Sequence, residues 1–588
     1  MTHNHCRFRL VLLLCALSGL AFAAGQRVDD AALNGGGKLR GDWPTYGLDY
    51  AETRYSPLTQ IDASNAARLE LAWSVDIGMG GGGQEATPME SNGVLYGITN
   101  WSVAFAVDAR TGKELWRWDP KVDHVIDATQ TDRVCCGAVN RGVALYGGKV
   151  VVPVLDGRLA VLDAANGKVL WQVRATPMDQ PYTLTMAQRV VKNKIIIGGA
   201  GGEFFVRGYV SAFDIDTGKE AWRFYTVPGD PSKPFENDAM RRAALTWAGD
   251  WWKLGGGGSI WDGLSYDPEL DLIYVGTGNG TPWPEELRHS KGLDNLYICS
   301  ILAIRPGTGE LVWHYQAVPG DSWDYDSVQQ LTLADLMIGG RQRKVIMQAN
   351  KNGIFYVLDR ASGEFISAAP FARVSWASGF DPKSGRPIVN PEARYETKPV
   401  RVAPSSAHSW APMAFNPTTG LVYVPATPEG SFVYSVNRDF VPTPGLPAVV
   451  RVGVATGGAA NAIEPPSIGP APVAGQRGIL LAWDPVLQKE RWRADGGGGT
   501  GGGALTTAGN LVLQVRQDGH FLAYRADNGS KLLDIQTPLG AGMGPPITYQ
   551  VDGKQFIAFM GNPGGGGARG ANAAPPASPK LLVYTLGK

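Results

Sequence analysis

The sequence predicts an all-β, eight-bladed β-propeller with tryptophan-docking repeats. Three observations carry this: a recurring turn-and-tryptophan unit, its regular spacing, and a glycine-rich, weakly charged composition. The unit is a hydrophobic strand, an Asp or its equivalent, a Gly-containing turn, and a strand ending in an aromatic ring. It reads Ala106-Val-Asp-Ala-Arg-Thr-Gly-Lys-Glu-Leu-Trp116, then Val161-Leu-Asp-Ala-Ala-Asn-Gly-Lys-Val-Leu-Trp171. It returns as Ala212-Phe-Asp-Ile-Asp-Thr-Gly-Lys-Glu-Ala-Trp222 and Ala303-Ile-Arg-Pro-Gly-Thr-Gly-Glu-Leu-Val-Trp313. Weaker copies end at Phe365 and Trp492, another turns at Gly529, and Trp73 stands in an opening strand of the same type.

Each Asp-x-x-x-Gly segment reads as a hairpin turn, because Gly supplies the positive φ that such turns need. The first tryptophans recur roughly every 50 residues, the period of one four-stranded blade. A pair of β-sandwiches would not need the same unit seven or eight times. Residues 227–258, 427–475 and 496–503 interrupt the rhythm with Pro, Gly and Ala and read as loops over one face. The Gly- and Ala-rich stretch at about 561–580 reads as a mobile tail segment.

Lys plus Arg equals Asp plus Glu, 54 each, so there is no bulk electrostatic case for nucleic acid or anionic lipid. With 44% hydrophobic residues and 18 Trp, the chain is globular rather than disordered. Arg7 and Arg9 precede the apolar run 10–17, and Ala21-Phe-Ala23 offers small residues around a cleavage point. Residues 1–23 are therefore expected to be a signal peptide for export to the periplasm, leaving 24–588 as one propeller domain. The run falls short of the roughly 20 residues that a membrane span needs, and no later segment is long and apolar enough.

Removal of that peptide would take Cys6 and Cys15 and leave Cys135, Cys136 and Cys299 where disulfides persist. Adjacent Cα atoms sit about 3.8 Å apart, below the usual disulfide separation of about 4.4–6.8 Å. A ring joining Cys135 to Cys136 would be strained, and such strain belongs more often to sites than to scaffolds. Two reduced thiols remain the alternative reading. The sequence contains no Cys-x-x-Cys-His, and hence no attachment motif for a c-type haem.

Glu203, Asn279 and the Asp324-Tyr-Asp326 segment form a set of hard oxygen donors. Carboxylate and amide oxygens suit a cation such as calcium, and the few His residues argue against zinc.

In these motifs the chain resembles the quinoprotein alcohol dehydrogenases of methanol and ethanol dehydrogenase type, which use pyrroloquinoline quinone (PQQ). The resemblance runs from Trp43-Pro-Thr-Tyr-Gly to Val551-Asp-Gly-Lys-Gln-Phe-Ile. Its marks are Glu85-Ala-Thr-Pro, Cys135-Cys136 with Val-Asn-Arg141-Gly-Val-Ala, Gly255-Gly-Gly-Gly-Ser-Ile-Trp261-Asp, and Gly-Asp-Ser-Trp-Asp324-Tyr-Asp. The resemblance implies a Cys135–Cys136 ring on one face of the planar quinone and Trp261 on the other. It implies Glu85, Arg141, Thr185 and Lys351 as polar partners of PQQ, with the backbone at Gly201 and Gly202 in close approach. Glu203, Asn279, Asp324 and Asp326 would hold the metal, and Asp324 would act as general base while hydride passes to the quinone. Relatives that depend on lanthanides carry an Asp two positions after the base, so Asp326 implies a lanthanide over calcium. Electrons would leave to a separate soluble cytochrome c.

The chain departs from the commoner pattern at Ala407-His-Ser-Trp410, at Thr185-Met-Ala-Gln and in the 496–503 glycine run. The competing reading is a non-catalytic exported propeller scaffold, which accounts for the blades but not for the paired cysteines, Trp261 or the two aspartates.

Overall fold

The computed structural model describes residues 27–78, 83–122, 137–177, 180–441, 453–455, 461–473, 478–497, 501–563 and 578–587. The expected signal peptide at 1–23 and the Cys135–Cys136 pair lie outside them.

The repeat unit folds as four-stranded antiparallel sheets, and eight of these form the propeller. Blades 1 to 7 span 89–118, 144–174, 189–225, 264–316, 332–370, 414–497 and 504–536. Blade 8 is built from both ends of the chain: Leu69–Asp76 pairs antiparallel with Lys580–Leu586, which pairs with Lys554–Asn562. That pairing places strands from the two ends of the chain in one blade and so closes the ring.

Of the tail segment expected at about 561–580, residues 564–577 lie outside the described residues, while its two ends belong to blade 8. Gly561 and Asn562 end one strand of blade 8, and Lys580 opens the next. Leu581, Leu582 and Val583 are fully buried. The glycine and alanine content masked the alternating strand that follows it.

The repeat owes its composition to contacts between blades. Nε1 of Trp116, Trp171 and Trp222 donates to the carbonyls of Ala164, Ile215 and Pro306 in the following blade, at 2.9, 2.9 and 2.8 Å. Trp313 reaches Arg360 at 3.2 Å and Trp492 reaches Ala526 at 3.1 Å in the same way. Each indole ring then lies over the turn glycine of that blade. A Cβ on Gly167, Gly218, Gly309, Gly363 or Gly529 would sit 2.6–2.9 Å from the ring, and each has φ between +70° and +76°. Gly is required twice there, for the left-handed turn and for the close approach.

The exception supports the rule. Blade 5 ends its repeat with Phe365, whose ring lies over Gly385 in the added hairpin Ala377–Phe380 and Pro387–Val389. With no indole to cover it, the turn of blade 6 carries Gln488 at φ +50°, whose amide donates to Ser367 Oγ at 2.9 Å.

Residues 50–56 cross the inner edges of several blades and satisfy their backbone donors. The N–H groups of Tyr266, Leu333, Phe415 and Thr506 donate to the carbonyls of Tyr50, Ala51, Thr53 and Arg54, at 2.8–3.1 Å. This N-terminal segment thus caps the innermost strands of blades 4 to 7 around the propeller axis.

Antiparallel alternation fixes where the loops go. The start of each blade's first strand and the end of its second share one face, and the turn-and-tryptophan units lie on the other. The described parts of the three interrupting stretches lie on the first face. Within 227–258 the chain forms the helix Asp238–Ala244, and Trp247 and Trp251 pack on Ile298. Among the described residues no helix is long and apolar enough to cross a membrane.

Replacing Gly363 by Ala should lower stability by about 2 kcal/mol or more, since the methyl group meets the Trp313 ring and the backbone holds a positive φ. Thermal denaturation reads this as a lower midpoint; an unchanged midpoint would contradict the proposed interlock.

Candidate quinone and metal site

All the described site residues expected from the sequence lie on the loop face named above. Glu85, Arg141, Thr185, Trp261, Asp324 and Asp326 precede the first strands of blades 1 to 5. Gly201, Gly202, Glu203, Asn279 and Lys351 follow the second strands of blades 3, 4 and 5. Residues more than 250 positions apart therefore meet around one axis.

One half of the site is built on Arg141. Its Nη2 pairs with Glu85 Oε2 at 2.6 Å, and Nη1 donates to Thr185 Oγ1 at 3.2 Å and to the Trp261 carbonyl at 3.1 Å. The guanidinium carbon lies 4.8 Å from the Trp261 ring centroid, within reach of a cation–π contact. Backbone bonds hold the support rigid: Arg141 N–H donates to the Thr185 carbonyl and Thr87 N–H to that of Arg141. Burial raises the Glu85 carboxyl above the usual range, and the Arg141 charge opposes it.

The other half is a group of oxygen donors around one ammonium. Lys351 Nζ lies 3.0 Å from Asp324 Oδ2 and 3.0 Å from Asp326 Oδ2. The second Asp326 oxygen accepts the Asn279 N–H at 3.0 Å. Burial pushes the Asp324 carboxyl well up; Lys351 opposes this, while Asp326 and Glu203 add to it. Burial also raises Glu203, with the charge of Asp326 next in size. Burial alone would lower Lys351, but Asp324 and Asp326 outweigh it and hold the ammonium well above its ordinary value.

The two aspartates differ in a way that matters chemically. The Asp324 side chain is 24% exposed and the Asp326 side chain 3%. Both have left-handed backbone, φ +63° and +55°, which Asp tolerates at some cost. The conformation is held by Trp323 and Tyr325, both fully buried, and by Asp321, which accepts the N–H groups of Trp323 and Tyr325 at 3.2 and 3.4 Å. Side chains on either side of Tyr325 thereby turn toward Lys351.

Gly201 has φ +124°, and a Cβ there would lie 2.8 Å from the Pro181 carbonyl. Gly202 opens the single turn Gly202–Phe204 that carries Glu203, and a Cβ on it would approach Ser259 Oγ. His408 is buried; its Nδ1 contacts the Pro425 carbonyl at 2.7 Å, and burial lowers it to about 4, so the ring is neutral. Ala407 N–H donates to the Lys351 carbonyl, which brings the Ala407-His-Ser-Trp410 segment beside the site. Of the 496–503 run, Gly502 packs against the Met543 and Gly544 carbonyls and Gly503 against Pro412.

The donor set fits a hard cation by chemistry. Glu203, Asp324 and Asp326 place three carboxylates against the single Lys351 ammonium, and the Asn279 amide is beside them. Among the described residues no three His, Cys, Asp or Glu side chains close on a common point. An ion would therefore compete with Lys351 for Asp324 and Asp326. A polycarboxylate quinone fits the other half, where Arg141 supplies a cation beside the flat, partly exposed Trp261 ring.

Two residues of the site carried no assignment from sequence. Asp321 belongs to the Gly-Asp-Ser-Trp-Asp motif, where an Asp in a loop reads as an ordinary turn cap. Asp262 follows Trp261 and lies 3.6 Å from Arg141 Nε. Its signal was its place beside the stacking residue.

Comparison with known proteins identifies the family. Residues 43–375 and 481–557 match the family described as "PQQ: Glucose/ethanol/alcohol dehydrogenase, beta-propeller domain". The quinohemoprotein alcohol dehydrogenase ADH IIB of Pseudomonas putida is 50% identical over 559 residues, 94% of this chain and 78% of that protein. The 1-butanol dehydrogenase (cytochrome c) of Thauera butanivorans is 43% identical over 95% of this chain and 78% of its own length. A europium-containing methanol dehydrogenase has a solved structure that superposes with TM-score 0.81 at 32% identity, covering 93% of this chain and 98% of that one. The chain belongs to the PQQ-dependent alcohol dehydrogenase family.

Proposed function

We propose that this protein oxidises a primary or secondary alcohol to the aldehyde or ketone, with Asp324 as general base. Membership of the family establishes alcohol oxidation with PQQ and a metal ion in general terms. The observation that carries the finer reading is the contrast between the two aspartates: Asp324 reaches the open side of the site, and Asp326 is buried against Asn279.

When bound, PQQ accepts the hydride and the metal supplies Lewis acidity. The chain's own residues do the rest. Asp324 takes the hydroxyl proton of the alcohol at its partly exposed carboxylate, and Lys351 at 3.0 Å favours the ionised form it needs. Arg141, Glu85, Thr185 and Lys351 would hold and orient the quinone, with Trp261 as a stacking wall. Gly201 and Gly202 allow the backbone to approach. Glu203, Asn279, Asp324 and Asp326 hold the metal.

A lanthanide is favoured over calcium. Three carboxylates against one ammonium leave an excess negative charge that a trivalent ion neutralises more fully. The europium-containing relative supports this by likeness. Electrons pass to a separate cytochrome c in the periplasm, reached by export through residues 1–23. The acceptor named for the Thauera relative supports that partner. A scaffold without chemistry would have no use for this buried charge arrangement.

Asp324→Asn should cut dye-linked alcohol oxidation by roughly 10³-fold or more while the thermal midpoint holds. The measurement is dye reduction with short alcohols by protein loaded with PQQ and metal; near-normal turnover in the loaded variant would remove Asp324 from the base role. Asp326→Ala should move bound metal from lanthanum toward calcium when protein is loaded from an equimolar mixture, read by elemental analysis. Unchanged lanthanum preference would contradict its role as a ligand.

A further inference from the structure

Behind the quinone half of the site, charges alternate along the propeller axis. Arg141 faces two carboxylates, Glu85 at 2.6 Å and Asp262 at 3.6 Å. Asp262 is buried; burial raises its carboxyl, and Arg141 and then Arg189 oppose this. Arg189 Nε pairs in turn with Glu52 Oε1 at 2.6 Å. The Arg189 guanidinium also covers the Tyr46 ring at 4.6 Å, and Tyr46 lies near enough to Asp262 to feel its charge.

Glu52 belongs to the N-terminal segment that crosses the inner strands. It is fully buried, and burial pushes its carboxyl up to about 7 against Arg189 and Arg54, with Asp49 adding to the rise. Gln330 donates to the Glu52 carbonyl at 2.7 Å, and Thr332 Oγ1 does so at 3.2 Å. Arg54 is committed elsewhere, to the carbonyls of Tyr46, Ala504 and Pro546. The sequence Glu85, Arg141, Asp262, Arg189, Glu52 is thus a chain of alternating buried charges from the quinone pocket to the N-terminal segment.

We propose that Asp262 is a positioning residue that fixes the Arg141 guanidinium for the quinone carboxylates. The inference rests on the reading that Arg141 holds PQQ. A guanidinium gripped on two sides is ordered before the ligand arrives, so binding does not have to order it. Without the Asp262 charge, Glu85 would be the only carboxylate among the described residues paired with Arg141, drawing the guanidinium away from the Asp262 side.

The test is a double-mutant cycle on PQQ affinity, measured by equilibrium dialysis of purified protein with lanthanum and compared with the thermal midpoint. Arg141→Lys and Asp262→Asn should each weaken PQQ about tenfold, and the double variant should lose little more than either one. The Asp262→Asn midpoint should stay near that of the unmodified protein. Unchanged affinity in Arg141→Lys would overturn both the Arg141 reading and this proposal. A loss in Arg141→Lys with none in Asp262→Asn, or losses that multiply in the double variant, would overturn the proposal alone. Should Asp262→Asn fail to fold, Asp262→Glu, which keeps the charge on a longer arm, tests the same contact with Arg141. It should weaken PQQ about threefold or more, and unchanged affinity there would equally overturn the proposal.

Discussion

An indole N–H reaching a carbonyl of the next blade, with its ring laid over that blade's turn glycine, is the contact on which the rest of this structure depends. It is repeated from blade to blade, and it fixes the angle and spacing at which one sheet follows another. Because the lock sits on the face opposite the site, loops on the near face can vary without disturbing it. The Leu69–Asp76 strand completes the ring through Lys580–Leu586, so the two ends of the chain share one blade. Blades held this way bring Arg141, Trp261, Asn279, Asp324 and Lys351 to one axis from five separate loops.

What those loops assemble is an electrostatic arrangement in two halves. The cationic half, Arg141 beside Trp261, suits a flat anion. The anionic half, Glu203, Asp324 and Asp326 around Lys351, suits a hard cation. Burial would make each of these charges costly alone, by several kcal/mol per ion, and each is therefore met by an opposite charge or a backbone donor. The left-handed backbone at Asp324 and Asp326 serves the same end, since it brings both carboxylates to one ammonium across a single tyrosine.

Much of this was legible in the sequence because it is periodic or local. The tryptophan-and-glycine unit is both, and the contact explains its composition down to the exception at Gln488, where no indole lies above the turn. The Asp324-Tyr-Asp326 motif and Trp261 within its glycine-rich segment are local, so candidate roles could be attached to them through family likeness. The Cys135–Cys136 pair lies outside the described residues. The closing strand Lys580–Leu586 was hidden by the glycine and alanine before it, since composition over a window outweighs a short alternating strand. The axial chain was also invisible: Glu52 and Arg189 are 137 residues apart, and single Arg and Glu residues far apart in sequence give no pattern to detect.

In the proposed function, one pocket on this face holds both PQQ and a metal, with Trp261 against the quinone and the two aspartates at the ion. A crystal structure of the protein loaded with PQQ and lanthanum, with anomalous diffraction to locate the ion, tests it directly. The account predicts planar density on the Trp261 ring and one anomalous peak at about 2.3–2.6 Å from oxygens of Glu203, Asn279, Asp324 and Asp326. A lanthanum peak away from these four residues, or quinone density that leaves the Trp261 ring bare, would contradict it.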